Sequence, residues 1–329
     1  MYGRSNILVA VACLVLASLR TVYAASSAGC GKSPTLKSQR YTMTVNGKQR
    51  AYYMKLPNNY DNSHPYRLVF TWHQLGGSAQ KIVNGENPQQ GGALPYYGLE
   101  AIANNSAIFV VPDGLNAGWG NQGGEDVTFF DQLVKAVEAD LCVDTNLRFS
   151  TGFSYGGAMS YALACARASM LRAVAVISGA PLSGCTGGKD PVAYYGQHGT
   201  SDSVLNVQMG RQLRDQFVAN NGCQRLASEP QPNGGKSVLT KYTGCKEGYP
   251  VTWVIHNGDH NPSQVNQGGE HAVRAQEQLG LLYAVHLKGI VPSGDMLGGE
   301  RRKRQWFVGF QMFQFELVHM SELGYLYIS

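Results

Sequence analysis

Residues 150–159 read STGFSYGGAM, and Ser154 stands between Gly152 and Gly156. A serine in G-x-S-x-G, between a strand-like run and a helix-like one, can offer its hydroxyl as a nucleophile. The pattern has a steric reason. A strand that turns at once into a helix strains the residue at the corner. Side chains on either flank would strike neighbouring backbone, so glycine fills those positions. The hydroxyl attacks only when a base takes its proton, and an acid must hold that base. Both partners must come from elsewhere in the chain.

Eight histidines compete for the role of base. His64 and His73 precede the serine, while His198 and His256 fall inside or at the end of strand-like runs and read as structural. His271, His286 and His319 lie in an unfamiliar C-terminal stretch. His260 follows the run VTWVIH in the turn Asn257-Gly258-Asp259-His260 and is the candidate base. The candidate acid is Asp202, in His198-Gly199-Thr200-Ser201-Asp202 after the run VAYYGQ. It lies between serine and histidine in the chain, the order that α/β-hydrolase folds use. Asp259 adjoins His260 and is badly placed to reach its ring; Asp190 precedes its strand, and Asp215 sits within a helix. A tetrahedral oxyanion would need two backbone donors. The N–H of Tyr155, next after the serine, is one. The N–H of Leu75, in Trp72-His73-Gln74-Leu75-Gly76-Gly77, is the other, and His73 would order that loop. Such chemistry needs neither metal nor cofactor. His256 and His260 span a strand end and a turn, which is not helical metal-site geometry. Gly29-Cys30-Gly31-Lys32-Ser33 ends like a phosphate loop, but Ser26 replaces its first glycine.

Strands and helices must bring these residues together. YTMTVNGKQRAYYMKL (41–56) reads as a hairpin turning at Asn46-Gly47. RLVFTW (67–72), AIFVV (107–111), LRFSTGF (147–153), AVAVIS (173–178), VAYYGQ (192–197) and VTWVIH (251–256) read as strands. Helices are expected over 126–141, 155–168 and 206–220, the first with Phe130, Leu133, Val134, Val137 and Leu141 on one face. Apolar strands alternating with helices imply a mostly parallel sheet covered on both faces, with its site at the strands' carboxyl ends. The expected fold is therefore α/β, of the α/β-hydrolase type. Residues 76–98, rich in Gly, Asn, Gln and Pro, read as a long loop, and this loop and Trp119 are expected to wall an acyl pocket.

The N-terminus reads as a secretory signal. Arg4 precedes the apolar run Ile7–Leu19, and Val22-Tyr23-Ala24 offers small residues at the positions a signal peptidase reads. Removing residues 1–24 takes away Arg4, Arg20 and no acid, so net charge falls from +5 to +3. That balance is too weak and dispersed for a nucleic-acid binder, and no later stretch is apolar enough to span a membrane. Cys30, Cys142, Cys165, Cys185, Cys223 and Cys245 remain, an even set that suits disulfides in a secreted chain. The sequence leaves their pairing open. Short loops favour Cys165–Cys185 and Cys223–Cys245, which leaves Cys30 for Cys142. Asn104-Asn105-Ser106 is a glycosylation sequon.

From Gly29 to about Gln267 the chain resembles the secreted fungal feruloyl esterases of carbohydrate esterase family 1. These are related to acetylxylan esterases and polyhydroxybutyrate depolymerases. PNNYDNSHPYRL (57–68), GLNAGW (114–119), LCVDT (141–145), SYGGAMSYALACARA (154–168), YYGQHGTSD (194–202) and GDHNPSQV (258–265) carry the resemblance. It implies a Ser–His–Asp triad on Ser154, His260 and Asp202, and hydrolysis of ferulate esters on arabinoxylan. An acetyl or hydroxyalkanoate ester, or an inactive carbohydrate-binding relative, are the alternatives. The expected organisation is a signal peptide (1–24), an esterase domain (25–268) and an atypical tail (269–329). That tail departs from the family, carries Arg301-Arg302-Lys303-Arg304 beside aromatics, and reads as a translated intron, a shifted frame or a poorly ordered segment.

Overall fold

The structure, a computed structural model, describes residues 25–86, 93–234 and 237–262. The expected signal peptide, the tail from 269 onward and the three histidines within it lie outside the described residues.

Among the described residues nine strands, numbered in chain order, form one sheet in the order β1-β2-β4-β3-β5-β6-β7-β9-β8. The hairpin is β1 (Arg40–Val45) and β2 (Lys48–Lys55), turning at Asn46 and Gly47, both with positive φ. Six strands then run parallel: β4 (Ala107–Pro112), β3 (Tyr66–Trp72), β5 (Val143–Phe153), β6 (Ala173–Ile177), β7 (Ala193–Gly199) and β9 (Val251–His256). β8 (Val238–Lys241) closes the far edge, antiparallel to β9. Its four residues are at best half-buried, which is why no apolar run announces it.

Alternate residues of each strand face opposite layers. Leu68, Phe70 and Trp72 of β3 pack into one core with α3 (Glu125–Asp140), α4 (Tyr155–Ala166) and α5 (Val207–Asn220). Val69 faces the other core, with α1 (Ala79–Asn84) and α2 (Leu99–Ala103). Both faces being buried explains the unbroken apolar runs in the parallel strands.

The expected loop 76–98 is partly helical. Ser78 caps α1 by accepting from the Lys81 N–H (3.3 Å), and Asp113, remote in sequence, accepts from the Ala79 N–H (2.6 Å). Those two oxygens satisfy first-turn amides that composition alone leaves unprovided for. β5 begins at Val143 rather than 147, because Val143 pairs with Tyr66 and Asp144 bridges Ser26. Three disulfides join Cys30–Cys142, Cys165–Cys185 and Cys223–Cys245, the pairs that loop lengths favoured. Asn104 is exposed in a left-handed turn after α2. Among the described residues no helix is long and apolar enough to cross a membrane.

Candidate active site

Ser154 sits at the corner between β5 and α4 with φ 57° and ψ −118°. A non-glycine residue rarely adopts that region, and holding it there costs roughly 1–3 kcal/mol. Its N–H is tied to Ile177 O (2.9 Å), which fixes the corner to β6. The flanking glycines are required by space. A Cβ on Gly152 would lie 2.4 Å from Gly156 C, and one on Gly156 would lie 2.0 Å from Trp72 O. The corner is therefore wedged against β3, and the loop after β3 comes beside the serine.

That loop is well anchored. Gly114 N–H donates to His73 Nε2 (2.9 Å), so the ring carries its proton on Nδ1 and donates it to Gln74 O (2.7 Å). Burial pushes the His73 pKa down, against the pull of that hydrogen bond. His73 thus ties the loop and does not face the cleft. Gly76 N–H bonds Ala117 O (2.8 Å) and Gly77 N–H bonds Gln74 O (2.9 Å), while the Leu75 N–H makes no hydrogen bond with a described residue. Tyr155 is the first residue of α4, so its N–H has no acceptor within that helix. Leu75 and Tyr155 both line the cleft with Ser154, which leaves their amides as the candidates for receiving an oxyanion.

Asp202 and His260 leave the carboxyl ends of β7 and β9, neighbours in the sheet. Asp202 Oδ2 accepts from His260 Nδ1 (2.8 Å). Oδ1 accepts from the N–H groups of Val204 (3.0 Å) and Leu205 (2.7 Å). The carboxyl group is fully buried, which works against its charge. Hydrogen bonds from His198, His260 and the Leu205 amide more than offset that and hold it well below the usual aspartate range. Asp259 does not touch the ring. Its Oδ1 accepts from the N–H groups of Ser203 (2.8 Å) and His260 (2.7 Å), locking the acid turn to the histidine turn.

The His260 ring lies 4.6 Å from that of Phe153, the residue before the serine. Ser154 and His260 line one open cleft of about 530 Å³ with Gln74, Leu75, Phe153, Tyr155, Leu182, Val204 and Leu205. Ser154 Oγ makes no hydrogen bond with a described residue. Contacts of this kind tighten when substrate binds. Three aliphatics stand out at the rim: Leu75 (66% exposed), Leu182 (46%) and Val204 (64%). Leu182, Val204 and Leu205 carry no periodic signal, so the sequence gives no hint of them. Phe153 occupies the position before the serine in G-x-S-x-G, a motif signal that points to it.

Trp119 is not a pocket wall. It is fully buried beneath the loop, donates Nε1–H to His73 O (2.7 Å) and packs edge-on to Trp72 at 4.9 Å. Its aromatic character near a glycine-rich turn does not reveal which side of the loop it faces. Among the described residues no three His, Cys, Asp or Glu side chains gather as a metal site.

A strained serine between a parallel strand and a helix, at the edge where a carboxylate–imidazole pair also emerges, defines an α/β-hydrolase. The acetyl xylan esterase of Aspergillus awamori shares this fold, with a TM-score of 0.54 at 15% identity over 74% of this chain and 99% of that one. Sequence narrows the class. Over 272 residues the chain is 60% identical to feruloyl esterase D of Neurospora crassa, covering 82% of this chain and 94% of the relative. It is 47% identical to feruloyl esterase C of Emericella nidulans, over 79% and 92%. The chain belongs to the feruloyl esterase family. No family model matches it.

Proposed function

We propose that this chain is a secreted serine esterase that releases ferulic acid, or a similar hydroxycinnamic acid, from feruloylated plant-wall polysaccharide such as arabinoxylan. Ser154 Oγ attacks the ester carbonyl while His260 takes its proton. Asp202 holds the imidazole by Nδ1 and stabilises the imidazolium. The N–H groups of Leu75 and Tyr155 receive the oxyanion. The alcohol leaves with the proton from His260, and the acyl group remains on Ser154. Water deprotonated by His260 then frees the acid. Neither metal nor cofactor enters any step.

The observation that carries this reading is the 2.8 Å Asp202–His260 bond, whose imidazole lines the same cleft as Ser154. The acyl preference rests on the cleft's lining. Its volume of about 530 Å³ exceeds what an acetyl group needs, and no Lys, Arg, Asp or Glu lines it. Exposed Leu75, Leu182 and Val204 offer apolar contact to an uncharged aromatic ring. The relatives named feruloyl esterases agree with that choice. Secretion is favoured by the residue pattern of 1–24 and by three disulfides, which persist in oxidising compartments.

Hydrolysis of methyl ferulate and of an aryl acetate, with the full chain and Ser154→Ala, tests the proposal. Faster turnover of the ferulate, abolished by the substitution, is expected. Strong acetate preference would overturn the acyl assignment. No turnover of any ester by a folded protein would favour a carbohydrate-binding relative.

A further inference from the structure

Two imidazoles reach Asp202, and the mechanism above uses only one. His198 Nε2 lies 3.2 Å from Asp202 Oδ2, the same oxygen that receives His260. His198 Nε2 is also 2.8 Å from Leu205 O. Carboxylate and carbonyl both accept, so Nε2 carries a hydrogen and shares it between them. His198 is fully buried near the end of β7. Among the described residues its Nδ1 has no hydrogen-bond partner, and it lies against Gly210 of α5, where a Cβ would stand 2.2 Å away. A glycine inside a helix is unfavourable. Here it makes room for this ring.

Resting on the triad reading, we propose that His198 is a positioning residue. Its Nε2–H fixes Asp202 Oδ2 for His260 and draws electron density from that oxygen. With Val204 and Leu205 on Oδ1, it gives the buried carboxylate a full set of donors. Other groups around the pair are accounted for. From the β9 side come His256, Asp259 and His260; His256 Nδ1 accepts from the Gly258 N–H (3.2 Å), and Asp259 is spent on Ser203 and the His260 amide. From α5, Arg214 stacks on the Trp253 ring, which itself lies 6.4 Å from that of His198.

Two consequences separate this role from simple core packing. Without the donor, Oδ2 keeps its bond to His260 but is fixed from one side fewer, so the imidazole is held less well in line with the serine and kcat falls. The oxygen also becomes a stronger acceptor for the His260 N–H, which favours the imidazolium, so the acidic limb of kcat/KM moves to higher pH.

The experiment compares full-length His198→Leu, His198→Gln and Gly210→Ala with the parent on methyl ferulate across pH, alongside melting curves. His198→Leu should lose about tenfold or more in kcat, the value of one hydrogen bond to a charged group, with KM within about twofold. Its acidic limb should rise. His198→Gln, whose amide can donate to Oδ2, should recover most of kcat. Gly210→Ala, which crowds the ring, should lose kcat in part. Should His198→Leu fail to fold, Gly210→Ala decides, and an unchanged kcat and pH profile there overturns the proposal. A folded His198→Leu with lowered melting temperature but unchanged kcat and acidic limb also overturns it. Ser154→Ala and Asp202→Asn run in parallel. Activity surviving in them sinks the triad itself, whereas their inactivity beside a His198→Leu protein with parental kcat and acidic limb sinks only the role of His198.

Discussion

Gly156→Ala tests whether the site depends on close packing between the serine corner and β3. The new Cβ would lie 2.0 Å from Trp72 O and 2.9 Å from His73 O, both backbone atoms. Carbon–oxygen contacts settle at about 3.3 Å or more, so helix and strand must part by roughly 1.3 Å. Neither atom can escape by a rotamer change. Overpacking of this kind costs about 1–3 kcal/mol, which in a domain of this size lowers Tm by roughly 2–12 °C. Activity should suffer more. Ser154 sits on one side of the wedge and the Leu75 amide on the other, and a shift of about 1 Å between reacting groups costs about 100-fold. Melting by circular dichroism and kcat/KM on methyl ferulate measure both. A folded variant with parental kcat/KM would refute the claim that this contact sets the spacing between nucleophile and oxyanion donors.

Two further predictions concern stability. Burial lowers the His256 pKa to about 4, with nearby His198 adding to the effect, whereas an unfolded histidine titrates near 6.5. Below pH 6.5 the unfolded chain takes up a proton that folded His256 refuses, so stability falls as pH drops and levels off near 4. The span is worth about 3 kcal/mol. His256→Asn, whose side-chain oxygen can still accept from the Gly258 N–H, should shrink the Tm difference between pH 7 and 4.5; an unchanged difference contradicts this. The Cys30–Cys142 bridge closes 112 residues and Cys223–Cys245 only 22. Chain entropy assigns them about 4–5 and about 3 kcal/mol, so the double serine variant of the first pair should unfold at lower denaturant. The reverse order would count against the entropic account.

The serine corner was legible because its reasons are local. Gly152 and Gly156 are dictated by backbone clashes, and the pattern shows in five residues. The parallel strands were legible because burial on both faces leaves unbroken apolar runs. Asp202 and His260 followed from chain order and from their places after strands that prove adjacent. What stayed hidden depends on long-range contacts. α1 needs Asp113, 34 residues beyond Ala79, to complete its first turn. His198 looked like strand core, and only the fold shows its Nε2 meeting Asp202. The rim of Leu75, Leu182 and Val204 is drawn from three loops with no common period. Trp119 was misplaced because residue type does not encode which side of a loop it packs on.

Mass spectrometry of the protein quenched during turnover of a feruloyl ester addresses the central claim most directly. One feruloyl group should appear on the peptide that carries Ser154, build up when deacylation is slowed at low pH, and vanish in Ser154→Ala. A feruloyl adduct on any other residue, or steady turnover by Ser154→Ala, would contradict it.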